Sequence, residues 1–323
     1  MFLAGSLTAV LLMSYYAFLS VQIYEVMHST KGIYHSLTDL PEFNQVFWIP
    51  ICSAFALHCF KRQVINVSVP WFCLITKDQE DRAAVRQRAE RAGFSLYKFI
   101  WYTSSSIIGY VVLKDSPVLP KFLGGKADSF DEMWASQPYQ PQLPYMLECS
   151  LIGFGYFIED FMYHNFCKER TSDFWEMNFH HLLTLTLFGG MIFQNFIRAG
   201  LITAWLHNVT DILTSLSRVL SQTHYKKATY ISFGSCLVLW IYCRNLAFPF
   251  LTYKTIVLLN YPPELARFQA GPDILKLCLV CLCFLHIYWT TLFTKMIVSG
   301  VKSGDTDDKQ RRRTKTEEKA KAQ

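Results

Sequence analysis

The sequence predicts an all-α, polytopic membrane protein with about eight transmembrane helices. Three observations carry this. Of the 323 residues, 51% are hydrophobic and 16% aromatic, only 17% are charged, and the mean hydropathy is +0.18, too apolar for an ordinary soluble domain. The apolar residues gather in runs near the roughly 20 residues that cross a bilayer. The net charge of +6 sits in short intervening segments and a tail, an arrangement that orients membrane proteins and speaks against nucleic-acid binding.

Phe2 to Tyr24 is uncharged and long enough to span; without a basic n-region it reads as a retained helix rather than a signal. Phe47 to Phe60 is a second run, stopped by Lys61 and Arg62, with Pro70 to Ile75 a membrane-surface extension. Lys77 to Arg91 reads as a solvated or interfacial helix, and Leu96 to Leu113 as the third span. The following loop, through Gln142, carries Pro117, Pro120, Pro138, Pro141, Gly124 and Gly125, which exclude a long regular element. Pro144 to His164 is the fourth span, with Tyr156, Asp160 and His164 along one face. Phe179 to Phe196 and Ile197 to Leu220 follow with almost no loop, so they are antiparallel neighbours. Tyr230 to Tyr253 and Ile274 to Val298 complete the set. From Gly300 the chain has no apolar periodicity and reads as a disordered tail.

The chain thus divides into N-terminal spans with a basic linker (1–93), a central membrane domain (94–299) and a basic tail (300–323). Basic loops alternate with mixed or acidic ones, which puts both termini in the cytosol. Arg311 to Arg313 can touch anionic headgroups. Lys319-Ala320-Lys321-Ala322-Gln323 matches a dilysine retrieval signal, which predicts the endoplasmic reticulum membrane.

Ionisable groups inside the spans mark the site. His180 and His181 open one run, and His207, Asn208 and Asp211 lie well inside the next. Such groups cost ~2.5–3.5 kcal/mol each on insertion, so they face a bundle interior and have a task. With neighbours three and four apart sharing a face, His207, Asp211, Ser215 and Arg218 form one stripe, flanked by Asn208 and Thr214, and Thr184 follows the histidine pair by a turn. The two stripes can face each other, with Asp211 orienting a histidine. The cysteines lie mostly in or beside spans, and Cys278-x-x-Cys281 has no histidine at ligand spacing, so no metal site is expected.

The pattern Asp173-Phe174-Trp175-Glu176-Met177-Asn178-Phe179-His180-His181, then Arg198-Ala199-Gly200 and His207-Asn208-Val209-Thr210-Asp211, resembles the Lag motif of the ceramide synthases, within the TLC domain. Arg244 to Phe250 is similar to a later segment of that family. Where the family usually has a second acid this chain has Asn208, which leaves Asp211 as the single acid of the motif. The resemblance implies a six-helix bundle and N-acylation of a sphingoid base by a fatty acyl-CoA, with acyl-CoA as co-substrate and no resident cofactor. It implies His180 as base or nucleophile, His181 in support, and His207, Asn208, Ser215, Arg218, Lys168 and Arg170 on the substrates, the basic residues facing CoA phosphates. The other partner is membrane lipid; a homo- or hetero-oligomer is compatible with the sequence, which specifies neither. Two rivals stand beside this. A di-iron oxidase using His164, His180, His181 and His207 lacks the repeated short histidine spacings such centres need. A non-catalytic TLC-type lipid sensor or translocation-associated membrane protein would keep the bundle but has no use for the histidine pair with Asp211.

Overall fold

A chain in hydrocarbon must satisfy its backbone polar groups internally, and the helix does so locally. The computed structural model describes residues 2–30, 42–76, 81–167 and 173–303. Among them are nine α-helices and, in place of sheet, only two isolated bridges. They are α1 (Phe2–Thr30), α2 (Phe43–Ile75), α3 (Arg82–Leu113), α4 (Met146–Phe166), α5 (Phe174–Phe193), α6 (Ile197–Ser221), α7 (Lys226–Trp240), α8 (Phe248–Leu258) and α9 (Ala270–Ser303). A π-helical stretch, Ile241–Ala247, joins α7 and α8 into one rod. Three rods, Phe43–Ile75, Lys226–Leu258 and Ala270–Val298, are long and apolar enough to cross a membrane. The protein is a helical membrane protein.

Three boundaries differ from the sequence reading. Lys61 and Arg62 do not end the second helix, which runs unbroken to Ile75 through Pro50 and Pro70. Lys61 is fully buried because Glu159 of α4 receives its ammonium, a partner about a hundred residues away that no local pattern reveals. Arg82 to Arg91 is not a separate interfacial helix but the first turns of α3, started by Asp81, whose side chain accepts from the Ala83 and Ala84 amides. Arg88 is accordingly buried. Residues 77–80 lie outside the described residues. The last helix passes Gly300 and continues to Ser303; the rest of the tail, with Arg311 to Arg313 and the dilysine sequence, also lies outside them.

The helices pack in a closed order. α3 lies against α2 and α6, α4 against α2 and α5, α9 against α5 and α7, while α1 packs on α5 and α9. Glycine permits the closest approaches. A Cβ on Gly155 of α4 would stand 2.0 Å from Ser53 Oγ and 2.5 Å from the Pro50 carbonyl oxygen of α2. Gly155→Val therefore separates α2 from α4 and should cost about 1–3 kcal/mol, read as a lower melting temperature in detergent. Gly189→Ala, with nothing within 4 Å of the added atom, should hold the parent value.

The turn between α5 and α6 is three residues, Gln194 to Phe196. Asn195 takes a φ of +58°, a conformation asparagine tolerates better than most residues, and donates from Nδ2 to the carbonyls of Pro138 and Gln140 at 2.7 and 3.0 Å. Gln194 is buried between Ser20 and the Tyr261 hydroxyl. These bonds tie the 114–142 loop across this end of the bundle. Lys254 Nζ adds an ion pair to Asp131 at 2.7 Å, holding that exposed carboxyl below its usual value, so the contact persists at neutral pH and is lost only as acid protonates Asp131.

Candidate active site

The polar stripes of α5 and α6 do face one cavity. It encloses about 960 Å³, toward the upper end of ligand pockets. His180, His181, His207, Asn208, Asp211, Ser215 and Arg218 all line it. Lys168 and Arg170 lie outside the described residues. At one end, where α5 turns into α6, the walls are Trp134, Phe188, Met191, Phe196, Leu275 and Leu279, and Trp134 and Phe196 are buried. At the other end Arg218, Ser221, Tyr230 and Lys295 frame the mouth, with Arg218 exposed. The cavity therefore runs from a cationic rim, past a cluster of histidines and carboxylates, to an apolar floor.

His180 follows the first turns of α5, its carbonyl taken by the Thr184 hydroxyl at 2.8 Å. Its ring meets Trp289 edge-on at 5.1 Å and stands 5.8 Å from the His181 ring. Its Nδ1 is buried without a hydrogen-bond partner among the described residues. His181 turns away from it, against His164 and Phe161, as adjacent helical positions do.

The expected bond between Asp211 and His180 is not made. Asp211 Oδ1 instead accepts from Arg244 Nη2 at 2.8 Å, since a guanidinium within reach attracts a carboxylate more strongly than a neutral imidazole does. Arg244 also donates to the Thr210 hydroxyl at 2.8 Å and the His207 carbonyl at 3.1 Å, and its guanidinium lies 4.4 Å over the Trp240 ring. The π-helical stretch carries Arg244; such stretches often sit at functional sites because they shift a side chain out of α register. His207 Nδ1 lies 2.7 Å from the Thr203 carbonyl, to which it can only donate. Its Nε2 faces His286 Nε2 at 3.2 Å, and Arg244 Nη1 lies 3.3 Å from the same His286 nitrogen, which can only accept from that guanidinium.

Arg244, Lys98 and Asp160 also line the cavity, with His286 behind His207, and the sequence reading does not single them out for the site. Lys98 Nζ lies 3.0 Å from both carboxylate oxygens of Asp160, and the pair lines the cavity with His181. The signal was present: each is an ionisable side chain inside an otherwise apolar run, the same criterion that selects Asp211.

This arrangement can polarise a carbonyl, move a proton and hold a long apolar chain out of water. A family model, the TLC domain, matches residues 92–295, and the chain belongs to the TLC-domain family. It is similar to ceramide synthase hyl-2 of Caenorhabditis elegans, 27% identical over 299 residues that take in 87% of this chain and 88% of the worm protein. It is also similar to ceramide synthase 4 of Bos taurus, 26% identical over 66% of this chain and 51% of the bovine protein. Ceramide synthase LOH1 of Arabidopsis thaliana is 23% identical over 69% of this chain and 72% of the plant protein.

Proposed function

We propose that the protein is a ceramide synthase, an acyl-CoA-dependent N-acyltransferase acting on sphingoid bases in the endoplasmic reticulum membrane. The observation that carries this is His180: an imidazole whose Nδ1 has no partner among the described residues, in a cavity with cations at one end and apolar walls at the other. The family and its ceramide-synthase relatives support the same reading.

In the scheme this supports, the acyl chain lies against the Phe188, Met191 and Leu275 walls, and Arg218 and Lys295 at the mouth meet CoA phosphates. A thioester is already activated, so the protein must align the chains, stabilise an oxyanion and take a proton from the amine. His180 attacks the thioester carbonyl; the carbon–sulfur bond breaks, the imidazole proton passes to the CoA sulfur, and the acyl group rests on the ring nitrogen. The amine nitrogen then attacks the acyl carbon, the bond from that carbon to the ring nitrogen breaks, and the freed imidazole takes one proton from the amine as the amide forms. In this scheme His181 and Arg244, which line the same cavity, serve as the oxyanion donors. Asp211 holds Arg244 in position rather than His180. Purified protein incubated with a panel of acyl-CoAs and long-chain bases tests this: an N-acyl product with stoichiometric free CoA is expected, and its absence across the panel would return the lipid-sensor reading.

Residence in the endoplasmic reticulum rests on the dilysine sequence. Lys319→Ser with Lys321→Ser should let part of the protein reach later compartments, seen by microscopy. A double variant distributed like the parent would remove that signal from the account.

A further inference from the structure

One buried group of charges has no role in that scheme. On the flank of α4 that meets α2, Glu159 Oε1 receives the fully buried Lys61 ammonium and lies 2.9 Å from His58 Nδ1. Its other oxygen, Oε2, is buried with no hydrogen-bond partner among the described residues, on a side chain only 4% exposed. The next residue, Asp160, turns to the cavity and holds Lys98 beside His181. Two adjacent carboxylates on α4 thus serve opposite sides of the helix. Between them, the Lys61 and Lys98 ammonium groups both stand over the Phe94 ring, 5.9 and 5.2 Å from its centroid. Tyr97 packs beside them, 1% exposed, its hydroxyl lacking a partner among the described residues. The series ends at His58, half-exposed one turn before Arg62, where the apolar run of α2 gives way to charge.

A purely structural ion pair would use one cation, one anion and every lone pair. Here the anion keeps an open oxygen and shares the other with a titratable imidazole that reaches the surface. Chains of ionisable groups within membranes mark ion pathways and proton relays as well as structural pairs. The proposed reaction has a proton to dispose of. The acceptor is an ammonium at neutral pH, so acyl-S-CoA and R–NH3⁺ give R–NH–acyl, CoA-SH and H⁺. One ammonium hydrogen stays on the amide, one ends on the sulfur, and the third must leave the cavity.

We infer that Asp160 and Lys98 on the cavity side, and Lys61, Glu159 and His58 beyond them, carry that released proton from the active site to the outer face of α2. The inference rests on the proposed acyl transfer. The charged and titratable groups around Glu159 are His58, Lys61 and Arg62 from α2, Tyr97 and Lys98 from α3, and Asp160 and Tyr163 from α4 itself. Among these, Glu159 is the group that couples the buried cations to the exposed imidazole.

The test uses the full-length protein in membranes. Glu159→Gln keeps the shape but cannot take up the proton, and turnover with a long-chain base should fall by about 10²-fold at neutral pH, the low end for a proton-transfer group. The loss should shrink as pH rises and on addition of imidazole, and Glu159→Asp should retain most of the activity. With a long-chain alkoxyamine, whose nitrogen is uncharged at neutral pH, no net proton is released, and Glu159→Gln should match the parent. If that variant does not fold, His58→Ala carries the same comparison. Parent-like turnover with the long-chain base, or an equal loss for both acceptors that neither pH nor imidazole relieves, would overturn the relay and leave a structural pair. Failure of the parent protein to transfer acyl groups at all would instead remove the reaction, and the relay with it.

Discussion

His180→Ala is expected to abolish acyl transfer while leaving the protein folded. The imidazole makes ring contacts with Trp289 and His181, and its Nδ1 has no partner among the described residues, so its removal strands no buried donor or acceptor among them. The cost falls on the reaction. Loss of a general base alone lowers turnover by about 10²–10⁴-fold, and loss of a nucleophile removes the route altogether. Mass spectrometry distinguishes the two roles. With acyl-CoA and no amine acceptor, intact protein should gain one acyl mass on the peptide containing His180. No adduct, with activity retained, would make His180 the base for direct attack. Full activity of His180→Ala would remove the proposed mechanism.

The second large effect is expected in stability. Arg244→Met leaves the Asp211 carboxylate without its cation and removes a donor from the Thr210 hydroxyl and the His207 carbonyl, which stay bonded to each other. Arg244 is 3% and Asp211 24% exposed at the side chain. Breaking such a pair from one side typically costs about 3–5 kcal/mol, and the double variant Arg244→Met with Asp211→Leu should recover much of it. Thermal unfolding in detergent measures both. A melting temperature unchanged by Arg244→Met would show that the guanidinium does not hold α6 to the π-helical stretch. Asp211→Asn preserves the shape and leaves His180 untouched, so its effect on turnover should be far smaller than that of His180→Ala. A loss as large as that of His180→Ala would revive the direct Asp211–His180 bond.

The long apolar runs, their order and the near-absent loop between α5 and α6 are legible because hydrophobic length and turn chemistry are local properties. So is the gathering of His180, His181, His207 and Asp211, since a polar face inside an apolar helix has few other places to point. What was not legible is pairing. Lys61 reads as a stop until Glu159 stands beside it, and Asp211 reads as a partner for histidine until Arg244 takes it. Both partners lie in other helices, and the sequence holds no measure of which ionisable groups will meet. Arg244 depends further on a π-helical stretch, a change of register that helical periodicity does not foretell.

The floor of the cavity has a consequence for the order of events. Trp134 and Phe196 close it, and behind them the Asn195 and Gln194 bonds pin the loop over the α5–α6 turn. A cavity with apolar rings at one end and Arg218 and Lys295 at the other favours taking its visitors in turn. If acyl-CoA fills the rim, the spent CoA has to clear it before a second headgroup can approach His180. Under the proposed acyl transfer the acyl group would wait inside meanwhile, and the protein would act as a loaded carrier between two visitors that never meet.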